Sequence, residues 1–570
     1  MSSLEKLKQV TSLEDFASLL GYKTKSLAYI LYQIPPHKKY KEFTIPKKNG
    51  NTRTINAPEK HLKLLQRRLA NLLNECFEEV CILSKHKSSL SHGFREKHSI
   101  TTNAYNHITK RNVFNIDLKD FFPSINFGRV YGFFIKNNHF KLEKKTATII
   151  AQIACHNNEL PQGSPCSPVI SNFIGHLLDI RMVNLAKKTK CTYSRYADDL
   201  TFSTNRKLFP LEVAINDGNN KWQAGITLKK EIEKVGFKIN EKKTSMQYKT
   251  SRQITTGLVV NKKINTKREY YKIARAMCHE LFATDTFYIK DSYKKKSQEK
   301  PSSGTLNQLE GILSFIYKIK RPYENNKTDT RKHHPSAITK LYREFLFYKH
   351  FFSLDKPLIL YEGKTDAIYL KCALKSLITE YPEFIEMKEN KTSYKIGFLN
   401  FSSNLKDVFA VSGGSSGLAS IMDIYQKNMT QFKGNEKKHP VIILIDNDSG
   451  SKEIKNRINK KVDREKDTLN THHHFTENLY IASLPEVNGK KDIAIEDLFE
   501  DHVLQEKING KSFNRKGNTN PKTEYGKTVF AEKIIKANQD KINFDNFKEV
   551  FNRLKNIIED YSCKTAITKI

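Results

Sequence analysis

Apolar and polar residues follow different periods along this chain, and the changes between them divide it into segments. Residues 58–80 place apolar side chains three and four positions apart among lysines and arginines, which predicts a basic amphipathic helix that begins at a proline. Two short strands before it flank Asn49-Gly50, a dipeptide typical of a β-hairpin turn. Residues 111–260 predict alternating strands and helices. The first half of the chain is therefore expected to mix α and β elements.

A second α/β pattern begins near residue 357. Residues 358–361 form an apolar run that predicts a buried strand followed by a turn and a helix, and residues 441–445 form another such run, which ends in acids. Near-continuous apolar runs are typical of a parallel sheet covered on both faces. Between the two patterns, the basic and polar segment 321–355 predicts an interdomain linker, and the charged segment 291–304 predicts a mobile loop.

Composition narrows the class of partner. The chain has 570 residues, enough for two to four domains, and its 97 Lys and Arg against 61 acids give a formal net charge of +36. That excess indicates a polyanionic partner, and the lack of a spanning apolar run or a signal-peptide core favours nucleic acid over membrane. No Cys-x-x-Cys pair occurs among the eight cysteines, so a cytoplasmic location is expected. The histidines 472–474 lack a cysteine partner and are expected to form a polar loop.

The most informative short motif is Tyr196-Ala197-Asp198-Asp199. Strand-favouring residues flank it, so it predicts a β-hairpin with two acids at its turn. On their own, adjacent aspartates fit a solvated turn as well as a metal site. Asp117 ends another predicted strand, and carboxylates from different strands are what two-metal phosphoryl transfer needs. The three acids together therefore indicate a Mg²⁺ site.

The segments around these acids resemble the palm motifs of reverse transcriptases, in that family's order. NVFNIDLKDFF resembles motif A, LPQGSPCSP motif B and YADD motif C, while GFKINEKKTS and TTGLVVN resemble motifs D and E. The resemblance covers about residues 1–320. It implies a right-hand polymerase of fingers, palm and thumb, in which Asp117, Asp198 and Asp199 are catalytic and hold two Mg²⁺ ions.

The same resemblance implies four contacts to the incoming dNTP. Arg53 and Arg95 lie in finger motifs and would grip the triphosphate, a task that suits the fixed fork of guanidinium donors. Gln162 and its loop would contact a template base or the nucleotide, with an ordinary Pro/Gly loop as the alternative. Phe122, five residues after Asp117, would exclude a ribose 2′-OH, with a core Phe as the alternative.

Two further segments point to one branch of that family. Residues 103–107 (NAYNH) resemble the NAxxH motif of retron enzymes, and residues 255–257 (TTG) stand where that branch carries Val-Thr-Gly. A retron enzyme implies a structured noncoding RNA as template and primer, priming from a 2′-OH, and a branched RNA–DNA product, msDNA. The basic, aromatic-studded segment 262–297 supports RNA binding, and a solvated helical thumb is compatible with that role. An intron-type mobility enzyme is the alternative.

A second set of acids lies in the C-terminal half. Glu362 follows one buried strand, and Asp446 and Asp448 follow another. The carboxyl ends of parallel strands form the usual functional edge of such a sheet, so these acids are expected to meet around Mg²⁺. A lone Asp-x-Asp would fit a surface turn, but Glu-Gly-x-x-Asp at 362–366 favours the metal site.

These acids resemble those of the Toprim domain, found in topoisomerases, primases and nucleases of the overcoming-lysogenization-defect (OLD) type. Residues 412–414 (SGG) resemble that family's glycine turn, and residues 525–527 (YGK) a basic element of the OLD type. The resemblance implies Glu362 as general acid/base and one or two Mg²⁺ ions on Glu362, Asp366, Asp446, Asp448 and Glu496. Helix-terminal charges are the alternative for Glu496 and residues 525–527. With neither a nucleophilic-Tyr domain nor a zinc module visible, nuclease is the preferred activity.

The sequence thus predicts an α+β polymerase followed by an α/β Toprim domain with a mainly parallel sheet. The expected divisions are 1–320 (reverse transcriptase), 321–355 (linker), 356–500 (Toprim domain) and 501–570 (a helical extension). The expected function is msDNA synthesis fused to a nuclease effector in antiphage defence, with a possible homo-oligomer. The alternatives are a non-catalytic Toprim scaffold and an intron-type mobility enzyme.

Overall fold

A computed structural model describes residues 1–47, 50, 52–83, 91–218, 221–289, 302–324, 327–389, 391–434, 438–461, 472–487, 489–515 and 519–567. The chain divides into two units. The first unit comprises Met1–Tyr270, and the second comprises the described residues from 271 onwards. The expected turn residue Asn49 and most of the expected loop 291–304 lie outside the described residues.

A five-stranded antiparallel sheet organises the first unit. Its central strand is buried except at Asn115 and at its last residue, as its run of apolar residues requires. It pairs on one side with a β-hairpin and on the other with two short strands. In spatial order the strands are Thr192–Tyr196, Asp199–Thr204, Asn112–Lys119 and Lys238–Ile239, with Ser245–Tyr248 also paired to the central strand.

Helices cover this sheet and complete its core. The amphipathic helix predicted over 58–80 is confirmed as Lys60–Leu83, and its apolar face is buried. The helices are Ser3–Lys8, Leu13–Leu19, Thr24–Ala28, Tyr29–Gln33 (π), Pro36–Lys39, Lys60–Leu83, Ile100–Tyr105, Phe127–Lys136, Lys144–Ala154, Ser167–Thr189, Ile226–Glu233 and Glu241–Lys243 (3₁₀). Three two-stranded pairs are Tyr40–Pro46 with Thr52–Pro58, Ala214–Asn216 with Trp222–Ala224, and Ile254–Thr255 with Leu258–Val259.

The second unit is built on a five-stranded, mainly parallel sheet. In spatial order its strands are Gly397–Leu399, Leu358–Tyr361, Val441–Ile445, Leu479–Ser483 and His472–Thr476, and only the last pair is antiparallel. The two strands predicted from apolar runs are fully buried neighbours at its centre. Both faces carry apolar clusters, which accounts for their continuous apolar sequence.

Helices and short strands surround this second sheet. Apart from Arg268–Thr284, which crosses the division between the units, they are Leu306–Lys320, Arg321–Tyr323 (3₁₀), Thr328–His333, Ala337–Phe347, Tyr348–Phe352 (π), Asp366–Ser376, Ser403–Phe409, Ser415–Met429, Ser449–Ser451 (3₁₀), Lys452–Lys461, Ile495–Leu498 (3₁₀), Asp501–Leu504, Lys527–Val529, Phe530–Ile535 (π), Asp545–Phe547 (3₁₀) and Lys548–Ile567. The remaining strand pairs are Tyr288–Ile289 with Ser302–Ser303, Ile385–Lys388 with Lys391–Tyr394, and Ser512–Phe513 with Glu524–Tyr525.

The segment expected to be a linker, 321–355, is instead part of the core of the second unit. Its helix Ala337–Phe347 buries one face against the sheet. Its basic residues are also engaged: the guanidinium of Arg321 donates to Asp407 at 3.1 Å and that of Arg331 at 2.8 Å. Composition predicted a solvated segment because it gives the number of charged residues. It does not show whether an acid pairs with each basic residue in the folded chain.

Two other features differ from the sequence-based expectation. Residues 472–474 form an edge strand paired with Leu479–Ser483, although they were expected to form a loop. Pairing with the neighbouring strand favours this conformation. It could not be predicted from histidine's own weak preference for strands. The division between the units falls at residue 270, not at 320. The helix Leu306–Lys320 belongs to the second unit because its apolar face joins that unit's core.

Candidate functional sites

A tight hairpin presents the two adjacent aspartates of the first unit. Its strands Thr192–Tyr196 and Asp199–Thr204 pair directly across the turn, and Ala197 at the turn has a φ of +56°. Asp117 on the central strand is in register with Asp199. The backbone N–H of Leu118 donates to the carbonyl of Asp198 at 2.9 Å. The sheet therefore brings together the three acids predicted from the sequence.

Negative charge in this cluster is only partly compensated. Burial, together with the neighbouring carboxylates of Asp198 and Asp117, raises the pKa of Asp199 to about 7, and burial also raises the pKa of Asp198. The carboxylate of Asp117 accepts hydrogen bonds from Lys243 Nζ at 2.7 Å and from Asn240 Nδ2 at 2.8 Å. A site that crowds acids and supplies one lysine is suited to bind further positive charge.

Mg²⁺ fits the donor chemistry of this cluster, since carboxylate oxygens are its preferred protein ligands. Among the described residues, no three His, Cys, Asp or Glu side chains are gathered closely enough to hold a metal ion. At this site both oxygens of Asp117 accept hydrogen bonds, from Lys243 and Asn240. An ion held jointly by the three aspartates would take over the place of that lysine.

Arg53, Gln162 and Phe122 were also predicted at this site. Arg53 is an exposed residue of the strand Thr52–Pro58. Its positive charge lowers the pKa of Asp198 and so partly opposes the effect of burial, which shows that Arg53 lies near the acids. Gln162 is half-buried, and its carbonyl accepts from the N–H of Asn56 at 2.9 Å, so its loop packs against the same strand. Phe122 is half-buried and contacts Phe121.

Arg95 differs from its expected role. Its guanidinium donates two hydrogen bonds of 3.0 Å to the carboxylate of Glu78 and lies 5.1 Å from the ring centre of Phe77. The side chain is 8% exposed. Arg95 therefore braces the segment after residue 91 against the helix Lys60–Leu83 and is not free to grip a triphosphate in this conformation.

A buried ion pair supports the aspartate turn from behind. The guanidinium of Arg195 donates to both oxygens of Asp179 at 2.7 Å, and its third donor reaches the carbonyl of Ala197 at 3.1 Å. Gly175 provides the space, because a Cβ there would lie 2.7 Å from the guanidinium. Both partners are essentially unexposed, so water does not compete for their hydrogen bonds. The pair therefore holds the backbone of the turn at Ala197 in place.

The NAYNH motif (103–107) has a structural role here. His107 is fully buried, with Nε2 2.7 Å from Ser194 Oγ and Nδ1 2.7 Å from Ser203 Oγ. Ser194 donates its one proton to Asn103 Oδ1 at 2.8 Å, so His107 donates from Nε2 and accepts at Nδ1. The motif therefore ties the helix Ile100–Tyr105 to both strands of the aspartate hairpin through a neutral imidazole.

That geometry predicts a pH-dependent stability of the first unit. Burial lowers the pKa of folded His107 from 6.5 to about 3. Its contribution is therefore full above pH 6.5 and is lost as the pH falls towards 3, amounting to about 2 kcal/mol between about pH 7.5 and about pH 5. Urea unfolding followed by Trp222, the single tryptophan, measures this loss. His107→Gln is expected to be less stable at neutral pH and to lose less on acidification, and parallel pH profiles would contradict the assignment.

A second cluster of acids lies at the carboxyl edge of the parallel sheet. Glu362 and Asp446 directly follow two strands that pair in parallel, so they leave the sheet at the same edge. Ser451 Oγ connects them, 3.2 Å from Glu362 Oε1 and 2.6 Å from the carbonyl of Asp446. Burial, opposed by that Ser451 hydrogen bond, raises the pKa of Glu362 to about 6. Asp448 caps the loop that follows by accepting from the N–H of Gly450 at 2.9 Å.

The interior of this cluster contains further carboxylates. Burial, and then the charges of Asp366, Glu362, Glu496 and Asp448, raise the pKa of Asp446 to about 8. Five carboxylates predicted from separate parts of the sequence therefore influence one another electrostatically. Such crowding without a matching set of cations is the pattern expected of a metal-binding acidic site.

Glu496 provides a second observation in favour of a cation. It is 1% exposed, and Lys527 Nζ donates to its Oε2 at 3.0 Å. Its Oε1 has no hydrogen-bond partner in the part of the chain that the structure describes, although a buried carboxylate oxygen normally needs one. Asp366 is also buried and accepts from the N–H of Gly363 at 2.8 Å. Mg²⁺ fits this donor set, although here too no three ligands already converge among the described residues.

The glycine turn predicted at 412–414 lies beside this cluster. Gly414 has a φ of +71°, and Ser415 Oγ donates to the carbonyl of Gly450 at 2.7 Å. The turn therefore contacts the loop that follows Asp448. These contacts place the predicted glycine turn within the same edge of the sheet as the acids.

Several site residues received no role from the sequence. Lys243 and Asn240 lie within the motif D segment, whose resemblance was the available signal, but its spacing did not indicate a contact with Asp117. Ser451 follows Asp448 by three residues, a signal too weak to single it out. Arg195 stands next to the YADD motif, but its burial became visible only with its partner Asp179, which is distant in sequence.

No helix among the described residues has the length and apolar character needed to cross a membrane.

Comparison with known proteins defines the class first. Residues 45–272 match the family described as "Reverse transcriptase (RNA-dependent DNA polymerase)". The retron Ec86 reverse transcriptase of Escherichia coli is 32% identical over 317 residues, which cover 55% of this chain and 86% of that protein. The chain belongs to the retron reverse transcriptase family. This bears out the resemblance to retron enzymes that the palm motifs and NAYNH indicated.

Other relatives extend this result. The retron Mx65 and Mx162 reverse transcriptases of Myxococcus xanthus are 32% and 31% identical, covering 47% and 55% of this chain. The chain spans 62% and 64% of their respective lengths, which is less than two thirds. Among solved structures, apo telomerase from Candida tropicalis has a TM-score of 0.29 at 13% identity, covering 69% of this chain and 66% of that one.

Proposed function

We propose that the chain is an RNA-directed DNA polymerase that makes msDNA from a structured noncoding RNA. The observation that carries the proposal is the register of Asp117 opposite Asp199 at the aspartate turn, in a chain of the retron family. Asp117, Asp198 and Asp199 would hold two Mg²⁺ ions, which supply charge neutralisation at the transferred phosphate when bound. The first unit, Met1–Tyr270, would form the fingers and palm.

The chain's own groups supply the rest of that reaction. Arg53, whose charge acts on Asp198, and Gln162, whose loop packs against the strand of Arg53, would contact the incoming dNTP. Lys243 would hold Asp117 in place until an ion binds, and the pair of Arg195 with Asp179 keeps the turn rigid. Phe122 would exclude a ribose 2′-OH from the sugar site.

Nucleic acid that co-purifies with the full chain tests this proposal. The protein is expressed together with its flanking noncoding region, and the bound nucleic acid is extracted and sequenced. One small structured RNA joined through a 2′-OH to complementary DNA is the expected result. A mixture of cellular RNAs with no attached DNA would refute the retron-type reaction.

For the second unit we propose a Toprim domain with metal-dependent nuclease activity. Support comes from the crowding of Glu362, Asp366, Asp446, Asp448 and Glu496 at the carboxyl edge of a mainly parallel sheet. The carboxylates would hold one or two Mg²⁺ ions, and Glu362, whose pKa of about 6 suits proton transfer near neutrality, would act as general acid/base. Residues 356–500 would form this domain and 501–570 its extension.

Incubation of the full chain with Mg²⁺ and labelled duplex DNA, single-stranded DNA, RNA and tRNA tests the second activity. Cleavage of at least one substrate, lost in EDTA, is the expected result. If none is cleaved with or without the bound RNA–DNA product, the second unit is a scaffold. The proposed biological role is antiphage defence, in which that product restrains the nuclease. Unchanged protection and toxicity in a Glu362→Ala variant would refute the effector role.

A further inference from the structure

Phe94 combines an unusual backbone with an unusual exposure. Its φ is +58°, a left-handed conformation that bulky residues rarely adopt, and its side chain is 43% exposed. Strain of this kind persists only where the surroundings fix the backbone, and it is often found at functional sites. An exposed aromatic ring held in a strained conformation therefore calls for a role beyond packing.

The residue before Phe94 is fixed against the aspartate turn. A Cβ on Gly93 would lie 2.7 Å from the backbone nitrogen of Ala197, so only glycine permits this approach. The carbonyl of Gly93 accepts from Asn172 Nδ2 at 2.9 Å, and the N–H of His92 donates to the carbonyl of Arg195 at 2.8 Å. The backbone just before Phe94 is thereby held to the same sheet as the catalytic acids.

The residue after Phe94 is fixed as well. Arg95 is paired with Glu78 and packs on Phe77. Phe94 is therefore anchored on both sides, and its ring has one described aromatic neighbour: the centroid of Phe122 lies 6.1 Å away at an interplanar angle of 60°. That separation is in the range of attractive aromatic pairs.

We infer that Phe94 is a positioning residue for sugar selection: its ring braces Phe122 so that Phe122 cannot swing away from a ribose 2′-OH. The inference rests on the proposed polymerase and on the role of Phe122 within it. Phe121 also packs on Phe122, with centroids 5.5 Å apart, so the gate ring is held by two neighbours. Of these two neighbours, Phe121 is buried in the core, whereas Phe94 is exposed.

Selectivity between dATP and ATP on a DNA primer and RNA template tests this role, measured as the ratio of their kcat/KM values. Phe94→Ala is expected to lower the ratio by about three- to tenfold, the worth of one aromatic pair, through faster use of ATP. Phe94→Tyr keeps the ring and is expected to keep the ratio. Phe122→Ala is expected to lower the ratio further, and the double variant should match Phe122→Ala alone, because Phe94 acts through Phe122.

The outcomes separate this inference from the proposed function. If the wild-type chain extends the primer and Phe94→Ala leaves the ratio unchanged, Phe94 has no part in selection and the polymerase assignment stands. Additive losses in the double variant would also overturn the inference. If the wild-type chain makes no DNA at all, the proposed polymerase itself is refuted. Because Phe94 is exposed, the alanine variant is expected to fold, and its Tm is the check.

Discussion

Replacing both Asp198 and Asp199 with Asn will abolish DNA synthesis by the full chain on its own RNA. The two acids and Asp117 are the only carboxylates that the first sheet places at the aspartate turn among the described residues, and phosphoryl transfer depends on the ions they would hold. Loss of the ions removes several kcal/mol of transition-state stabilisation. We therefore expect the rate of dNTP incorporation to fall by at least about a thousandfold.

This loss can be separated from misfolding. Because burial and the charges of neighbouring carboxylates raise the pKa values of both acids, the folded state is destabilised by their charges, and Asn in their place should leave Tm unchanged or higher. The matched control is Asp120→Asn, an exposed acid three residues after Asp117, which is expected to synthesise DNA normally. Synthesis retained in the double variant would show that the polymerase site lies elsewhere.

The sequence was sufficient for the elements whose pattern is local. The buried strands that precede Glu362 and Asp446 and the amphipathic helix Lys60–Leu83 each carry their own apolar period, and the structure has them where that period indicated. The aspartate hairpin is also local, because its two strands are adjacent in sequence. Short-range patterns of this kind need no knowledge of the partner element.

The differences from expectation share another cause, which is pairing between distant residues. Arg95 was expected to grip the triphosphate because it lies in a finger motif, whereas in this structure its guanidinium donates to Glu78 of the helix Lys60–Leu83. Arg321 and Arg331 lie in a segment that was predicted to be a solvated linker, but both form ion pairs with Asp407. A sequence gives the charge of a residue, whereas its role depends on which opposite charge the fold brings within reach.

The same limit applies to the candidate sites. Family resemblance gave the three acids of the first site and their order. It did not show that Lys243 and Asn240 donate hydrogen bonds to Asp117, which became visible only in the folded structure. In the second site the partnerless oxygen of Glu496 could not be anticipated, because it depends on a burial that only the packed structure defines. Geometry therefore adds the charge balance that the motifs omit.

Substituting Glu362 with Gln is expected to abolish the proposed nuclease activity while leaving DNA synthesis intact. Glutamine keeps the size of the side chain and its contact with Ser451 but can neither accept a proton nor contribute a full negative charge to an ion. We expect cleavage to fall by at least about a hundredfold, the usual worth of a general acid/base. Asp446→Asn should match it, because Asp446 lies at the centre of the charge cluster.

Glu453→Gln is the matched control, since Glu453 is an exposed acid just beyond Ser451 and should leave cleavage unchanged. Primer extension by each variant must equal that of the wild type, because the acids of the first site are untouched. If Glu362→Gln cleaves as well as the wild type, the acids of the second unit have a purely structural part. The partnerless oxygen of Glu496 argues against that outcome, because a buried acid cluster maintained only for stability would be expected to satisfy its own charges.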